Sequence, residues 1–171
     1  ADLVAAAARD RLAALITEMN ADDRADLYNE LSEEQQEALL PGLAQAERED
    51  LRRLAAHEEG TAGAIMTSDY AVLTENLTAA QALDKLRREA PDKETIYRTY
   101  VIDGEGRLIG TVRLQALILA QPVARVASFM ERRTLAVPVD APQELAAKRI
   151  ARYDVLAVPV VDPEGRLLGI V

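Results

Sequence analysis

Two stretches of this sequence are nearly the same: VIDGEGRLIGTV at 101–112 and VVDPEGRLLGIV at 160–171. In each stretch an apolar run is followed by an aspartate and, three residues later, by a glycine: Asp103 and Gly106, then Asp162 and Gly165. Aspartate can accept hydrogen bonds from its own downstream backbone, and glycine supplies the positive φ of a tight turn, so each stretch predicts a β-hairpin. A turn between two strands, without the glycine spacing of a dinucleotide-binding loop, indicates a structural role.

The segments before the two hairpins also match each other. In the first copy an extended piece at 71–73 precedes a predicted helix at 78–89, and in the second a strand at 135–137 precedes a predicted helix at 142–153. The order β-α-β-β therefore occurs twice, about 60 residues apart. This repeat decides the fold of the second two thirds of the chain.

Residues 1–57 are predicted to be helical throughout. Leu3, Val4 and Leu12 begin a pattern of apolar residues three and four positions apart, as expected of an amphipathic helix. Start and stop signals then divide the segment into short helices: Asn20 as an N-cap, Ser32 with Gln35 as a capping box, Pro41-Gly42 as a stop, and Gly60 as the end. We therefore predict an α+β protein: a small all-helical N-terminal domain (1–59), then β-α-β-β units at 60–125 and 126–171.

The net negative charge of the chain is confined to this helical segment. The net charge is −9; residues 1–59 carry 15 Asp/Glu and 6 Lys/Arg, whereas residues 60–171 carry 14 of each. Such a surface repels nucleic acid and anionic lipid, so we expect no nucleic-acid partner, whereas cations or a basic partner would be attracted. Glu-rich helix faces that merely contact solvent explain the same charge and remain an alternative.

Several classes of protein are disfavoured by composition. The sequence has no cysteine and one histidine, His57, which excludes disulfides and thiolate metal sites and argues against a zinc site or a histidine-dependent triad. No glycine-rich phosphate loop is present, and no run of about 18 apolar residues could span a membrane. We therefore expect no enzyme activity.

The repeated hairpins resemble those of tandem cystathionine-β-synthase (CBS) domains. More narrowly, GTAGAIMTSDYAVL, LRREAPDKETIYRTYVID and IARYDVLAVPVVDPEGRLLGIV look like the cytosolic region of the MgtE family of magnesium transporters. MNADDRADLYNELSEEQQEALLPGL is similar to that family's acidic helical N-terminal domain. The resemblance covers nearly the whole chain.

This resemblance implies a regulatory function. It suggests a dimeric Mg²⁺ sensor on the cytoplasmic side of the cell membrane, attached to a transmembrane pore formed by the same full-length chain. Mg²⁺ bound between the acidic domain and the CBS pair would draw them together and favour a closed pore. Magnesium prefers oxygen ligands and keeps several waters, so carboxylates distributed across an interface suffice.

The resemblance also implies metal ligands on the helical domain. By motif match, Asp22 and Asp26 stand where the family places cation ligands, and an i, i+4 spacing puts them on one helical face. Asp23 is a plausible neighbour. The alternative is that Asp22 and Asp23 simply complement a helix dipole.

On the CBS side, Asp154 and Glu144 match acidic ligands of the family, and the backbone carbonyl of Ala64 matches a position usually occupied by glycine. Each has an ordinary structural alternative. Glu144 also fits the first turn of a helix, and Asp154 fits a helix end or a turn.

Two departures from the family pattern affect these expectations. Many CBS domains bind adenine nucleotides with a Ser/Thr and an Asp a few residues after the hairpin glycine, but here Gly110 is followed by Arg113 and Ala116 at the corresponding places, so ATP binding by the first unit is doubtful. A soluble CBS protein that senses adenine nucleotides and regulates a partner is the competing hypothesis. The sequence also stops at Val171, where the family's second unit continues, so we expect that unit to be truncated and the chain to be a fragment.

Overall fold

The structure, a computed structural model, describes residues 14–89 and 95–171 and has the predicted α+β organisation. The helical domain comprises α1 (helical at 14–18), α2 (Ala21–Glu30), α3 (Glu33–Leu39), a 3₁₀ turn (Leu40–Gly42) and α4 (Gln45–Ala55). The predicted helical positions Leu3, Val4 and Leu12 lie outside the described residues. Helices α2 and α4 make the main contact within this domain.

The predicted helix boundaries are mostly correct. Both bonds of the capping box form: the Ser32 backbone N–H donates to Gln35 Oε1 at 2.9 Å, and the Gln35 N–H donates to Ser32 Oγ at 3.4 Å. Pro41 lies in the 3₁₀ turn that follows α3. Asn20 stands at the N-cap of α2, but its side chain accepts no capping hydrogen bond.

The two repeated units have the same topology. The first unit contains β1 (Tyr70–Thr74), α5 (Ala79–Glu89), β2 (Thr95–Ile102), β3 (Leu108–Arg113) and α6 (Leu114–Leu119). After a 3₁₀ turn (Val126–Ser128), the second unit contains β4 (Val137–Pro138), α7 (Gln143–Tyr153), β5 (Pro159–Val161) and β6 (Leu167–Ile170). In each three-stranded sheet the first strand pairs parallel to the middle strand, which pairs antiparallel to the third.

The prediction of a strand at 135–137 is wrong by two residues. Strand β4 begins at Val137 and contains only Val137 and Pro138, which pair with Val160 and Val161. The partner strand β5 is only three residues long, so little backbone is available for β4 to pair with. Leu135 instead lines a groove between the two units.

The hairpin turns form as predicted. Asp103 Oδ1 accepts hydrogen bonds from the backbone N–H groups of Glu105 and Arg107, both at 2.9 Å. The guanidinium of Arg107 lies 2.8 Å from Asp103 Oδ2, and these hydrogen bonds lower the pKa of Asp103. Gly106 has φ +79° and Gly165 has φ +81°, the left-handed conformation that glycine adopts without steric cost.

The two hairpins also bond to each other, which the sequence did not predict. The Leu108 N–H donates to the Gly165 carbonyl at 2.9 Å, and the Leu167 N–H donates to the Gly106 carbonyl at 3.0 Å. The repeated motif therefore joins the two units as well as closing each one.

In both units, the segment that precedes the first strand pairs with the last strand of the other unit. Thr67, which precedes β1 in the first unit, exchanges two backbone hydrogen bonds with Ile170 of β6, at 2.8 and 3.0 Å. Glu131, which precedes β4 in the second unit, does the same with Thr111 of β3, at 2.9 and 2.8 Å. Each sheet is thus extended by the segment that leads into the other unit.

Two apolar clusters form the core. One belongs to the first unit and includes Leu73, Leu86, Val101 and Leu117, all at most 2% exposed. The other runs without interruption from the helical domain into the second unit and contains Ile16, Ala21, Ala25, Leu39, Leu43, Leu51, Leu54, Ala62, Met66, Val137, Ala146, Val158 and Val160. The helical domain therefore packs with the sheet of the second unit and with the segment that precedes β1, and not with the core of the first unit.

Candidate functional site

The predicted acidic ligands of the helical domain lie together on α2. Asp22 and Asp23 are in its first turn, and Asp26 follows one turn later. Asp22 Oδ1 is buried and has no hydrogen-bond partner among the described residues. Partial burial raises the pKa of Asp26, and the neighbouring charges of Asp22, Asp23 and Glu30 raise it further. This end of α2 therefore holds negative charges that repel one another, which is the electrostatic condition for binding a cation.

Ala64 and Glu144 are on adjoining segments. The backbone at 60–63 is bonded to the approach to α7: the Ala62 N–H donates to the Ala141 carbonyl at 2.7 Å, and the Gln143 N–H donates to the Gly60 carbonyl at 2.9 Å. Glu144 is exposed in the first turn of α7, where an acidic residue also has the ordinary structural role that the sequence left open. Both roles are compatible with this placement.

Asp154 has an unusual backbone conformation. It is the C-cap of α7 with φ 48° and ψ 50°, and it is the only non-glycine residue with positive φ among residues 14–89 and 95–171. Aspartate tolerates the left-handed region better than most residues. Its side chain is exposed and lines the groove between the units. This conformation agrees with the alternative that Asp154 simply ends a helix, and it leaves the carboxylate accessible.

The predicted ligands are not gathered into one complete metal site. Within the described ranges, no group of three or more His, Asp or Glu side chains is placed to hold a metal ion. The donor chemistry on α2 nevertheless fits Mg²⁺, because it offers only carboxylate oxygens and one of them is buried without a partner.

Polar contacts attach α4 to the second unit. The Arg53 guanidinium donates to the Leu168 carbonyl of β6 at 3.2 Å and lies 2.6 Å from Asp50. The Ser68 hydroxyl, next to the Thr67 that pairs with β6, donates to the other Asp50 oxygen at 2.6 Å. These bonds and the shared apolar cluster hold the helical domain against the second unit in the described arrangement.

A groove of about 810 Å³ lies between the two units. The first unit supplies residues of β2, β3 and α6, and the second supplies 131–135 and 153–159. Leu119 and Leu156, each 76% exposed, line it from opposite units. The sequence does not predict this groove, because its residues come from four separate segments of the chain.

One wall of the groove carries a polar network. Glu131 bridges two arginines, with Arg98 at 3.3 Å and Arg113 at 3.0 Å, and Arg98 also donates to Thr111 Oγ1 at 3.1 Å. Tyr100 lies on the same face of the sheet; its hydroxyl is buried without a hydrogen-bond partner among the described residues, and burial raises its pKa to about 12. Ala116 does not line the groove.

Comparison with known proteins identifies the family to which the chain belongs. The profile of the MgtE intracellular N domain matches residues 1–60, and the CBS-domain profile matches 62–122 and 126–171. The chain belongs to the CBS-domain family, with its CBS pair joined to an MgtE intracellular N domain. It is homologous to the cytosolic region of magnesium transporter MgtE.

Three relatives and structures support this assignment. The magnesium transporter MgtE of Thermus thermophilus is 47% identical over 124 residues, covering 72% of this chain and 28% of the relative, and that of Bacillus subtilis is 34% identical over 156 residues, covering 91% and 35%. The crystal structure of the cytosolic domain of the Mg²⁺ channel MgtE in complex with ATP superimposes with a TM-score of 0.90 at 41% identity, covering 94% of this chain and 66% of that one.

The chain thus spans about a third or less of the length of the transporter relatives. Across the described residues, no helix is both long enough and apolar enough to cross a membrane.

Proposed function

We propose that this chain is the Mg²⁺-responsive regulatory region of a magnesium transporter or channel and has no enzymatic role. The observation that carries the proposal is the acidic end of α2, where Asp22 and Asp26 repel each other and one carboxylate oxygen is buried without a partner. The homologous transporters support magnesium as the cation.

In this proposal Mg²⁺ joins the helical domain to the CBS pair. Asp22, Asp26 and the neighbouring Asp23 supply one side of the site, and Glu144, Asp154 or the Ala64 carbonyl supply the other, partly through water. Because the described structure does not bring these groups together, Mg²⁺ binding requires a change in the position of the helical domain relative to the second unit. The ion would shift the population toward the arrangement that it binds more tightly.

The charge distribution explains how Mg²⁺ would change the compactness of the region. Without Mg²⁺, repulsion among carboxylates opposes close packing of the acidic domain, whereas bound Mg²⁺ neutralises them and favours a compact region. A compact region would favour a closed pore in the same full-length chain, on the cytoplasmic side of the membrane. We also propose that the CBS units form a homodimer, for which the exposed Ile118, Leu119 and Val123 offer an apolar surface.

Calorimetric titration of this chain with MgCl₂ tests the proposal. We expect saturable binding at millimolar Mg²⁺ that is lost in the double variant Asp22→Asn, Asp26→Asn. The matched control is Asp84→Asn, which removes an exposed helical carboxylate that already pairs with Arg87 and Arg88. Equal binding by the double variant and the control would show that α2 does not hold the ion.

A ligand-responsive CBS module is the second candidate. The groove between the units is the observation that favours it, and a homologous cytosolic domain was crystallised with ATP. A small molecule that raises the unfolding temperature of this chain in the absence of Mg²⁺ would support this function independently of the first.

A further inference from the structure

A polar junction on α4 attaches the helical domain at a fixed place beside the second unit. The Arg53 guanidinium donates to the Leu168 carbonyl of β6 at 3.2 Å and lies 2.6 Å from Asp50 Oδ1. Asp50 Oδ2 accepts a hydrogen bond from the Ser68 hydroxyl at 2.6 Å. We call these four groups, the side chains of Asp50, Arg53 and Ser68 and the Leu168 carbonyl, the α4 junction.

The two segments that α4 contacts through this junction are bonded to each other. Thr67, next to Ser68, exchanges two backbone hydrogen bonds with Ile170 of β6, at 2.8 and 3.0 Å. The Tyr70 hydroxyl donates to the Leu167 carbonyl of β6 at 3.4 Å. Ser68 and Leu168 therefore belong to one continuous surface, and the junction holds α4 to that surface at two points.

The junction differs in kind from the apolar contacts around it. Leu51 and Leu54 of α4 share a buried cluster with the second unit, and burial of this kind is non-directional, so it tolerates a shift of one surface over the other. Hydrogen bonds weaken steeply when their distance and angle change, so they fix one position. The side chains of Asp50 and Arg53 are 26% and 43% exposed, so water can solvate both charges when the junction opens.

Opening of the junction bears on the proposed Mg²⁺ site. Helix α2, which carries Asp22 and Asp26, has its main contact within the domain with α4. In the described arrangement the acidic end of α2 is not gathered with other carboxylates into a metal site. The helical domain must therefore shift for Mg²⁺ to bridge it to the second unit, and α4 cannot shift over β6 without breaking the bonds of Asp50 and Arg53.

We infer that the α4 junction is a latch that opposes the Mg²⁺-bound arrangement and so raises the Mg²⁺ concentration at which the region responds. This role rests on the proposed Mg²⁺-responsive function, which it deepens. The apparent affinity for an ion is reduced by the fraction of molecules in the binding-competent arrangement. Loss of one hydrogen bond of ordinary net strength should therefore tighten Mg²⁺ binding by about threefold to tenfold.

Calorimetric titration with MgCl₂ at constant ionic strength tests the latch in two single variants. Ser68→Ala removes one bond to Asp50 without changing the charge, and Arg53→Gln removes the bond to the Leu168 carbonyl. We expect both variants to bind Mg²⁺ about threefold to tenfold more tightly than the wild-type chain. Arg52→Gln is the matched control, because Arg52 is exposed in the same last turn of α4 and its loss changes the charge equally; its affinity should stay within about twofold of wild type.

Hydrogen–deuterium exchange in EDTA provides a second measurement that needs no Mg²⁺. Backbone amides of α4 should exchange faster in Ser68→Ala and Arg53→Gln than in the wild-type chain, whereas those of α5 in the first unit should be unaffected. A bond with a merely structural role would also speed the exchange of α4, but it would leave the Mg²⁺ affinity unchanged.

The outcomes distinguish failure of the latch from failure of the proposed function. Saturable Mg²⁺ binding by the wild-type chain, with equal or weaker binding by Ser68→Ala and Arg53→Gln, overturns the latch alone. A gain in Arg53→Gln that Arg52→Gln reproduces and Ser68→Ala lacks is an effect of charge and also overturns it. Absence of Mg²⁺ binding by the wild-type chain and by every variant overturns the proposed function together with the latch.

Discussion

Replacing Gly169 with alanine tests the exchange of segments between the two units. A Cβ at this position would lie 2.6 Å from Met66 Sδ and 2.9 Å from the Thr67 carbonyl oxygen. The methionine side chain can move, but the Thr67 carbonyl accepts a hydrogen bond from the Ile170 N–H at 3.0 Å, so moving it weakens the pairing of the segment with β6. Overpacking of this kind costs about 1–3 kcal/mol, and we expect about 2 kcal/mol of lost unfolding free energy.

Gly110 occupies the equivalent place in the first unit and provides a graded comparison. A Cβ there would lie 3.0 Å from the Glu131 carbonyl oxygen and 3.1 Å from Met130 Sδ, a milder clash for which we expect about 1 kcal/mol. Gly104→Ala is the control, because nothing lies within 4 Å of the added atom and its φ is not in the left-handed region. Its effect should be within about 0.5 kcal/mol.

Urea denaturation followed by circular dichroism gives the three free energies of unfolding. The reasoning predicts the order Gly169→Ala, then Gly110→Ala, then Gly104→Ala, from the largest to the smallest loss. A loss for Gly169→Ala no greater than that for Gly104→Ala would show that the Thr67 segment does not pack on β6 as described.

Three other predictions concern polar groups. Tyr100→Phe removes a buried hydroxyl without a partner, so thermal unfolding should show unchanged or higher stability, by up to about 1 kcal/mol; a clear loss would mean that the hydroxyl has a partner. Burial and the nearby Arg53 lower the pKa of His57 below its usual 6.5. Because the unfolded chain then binds this proton more readily than the folded chain, the free energy of unfolding should decrease as the pH drops below 6.5. His57→Gln should remove this contribution. Asp26→Asn relieves i, i+4 repulsion with Asp22 and should stabilise the chain in EDTA by about 0.2–0.5 kcal/mol, whereas Asp84→Asn should give no gain.

Features that depend on neighbouring residues were predictable from the sequence. The capping box at Ser32 and the turn at Asp103 formed as expected, because each is stabilised by hydrogen bonds within a few residues. The topology of both units was predictable because the same order of elements occurs twice in the sequence. Strand β4 was misplaced because its length depends on pairing with β5, which is distant in sequence.

The candidate site was only partly predictable. Helical spacing placed Asp22 and Asp26 together, and that local arrangement is present. The backbone hydrogen bond from Ala62 to Ala141, and the bridge from Glu131 to Arg98, join segments that are distant in sequence. Nothing in the local sequence around these residues specifies those long-range contacts.

Small-angle X-ray scattering during a Mg²⁺ titration tests the central claim most directly. At constant ionic strength, the radius of gyration of the wild-type chain should decrease between EDTA and millimolar Mg²⁺, and the Asp22→Asn, Asp26→Asn variant should show no such decrease. An unchanged radius of gyration for the wild-type chain, or an equal decrease in the variant, would contradict the proposal that Mg²⁺ draws the acidic helical domain onto the CBS pair.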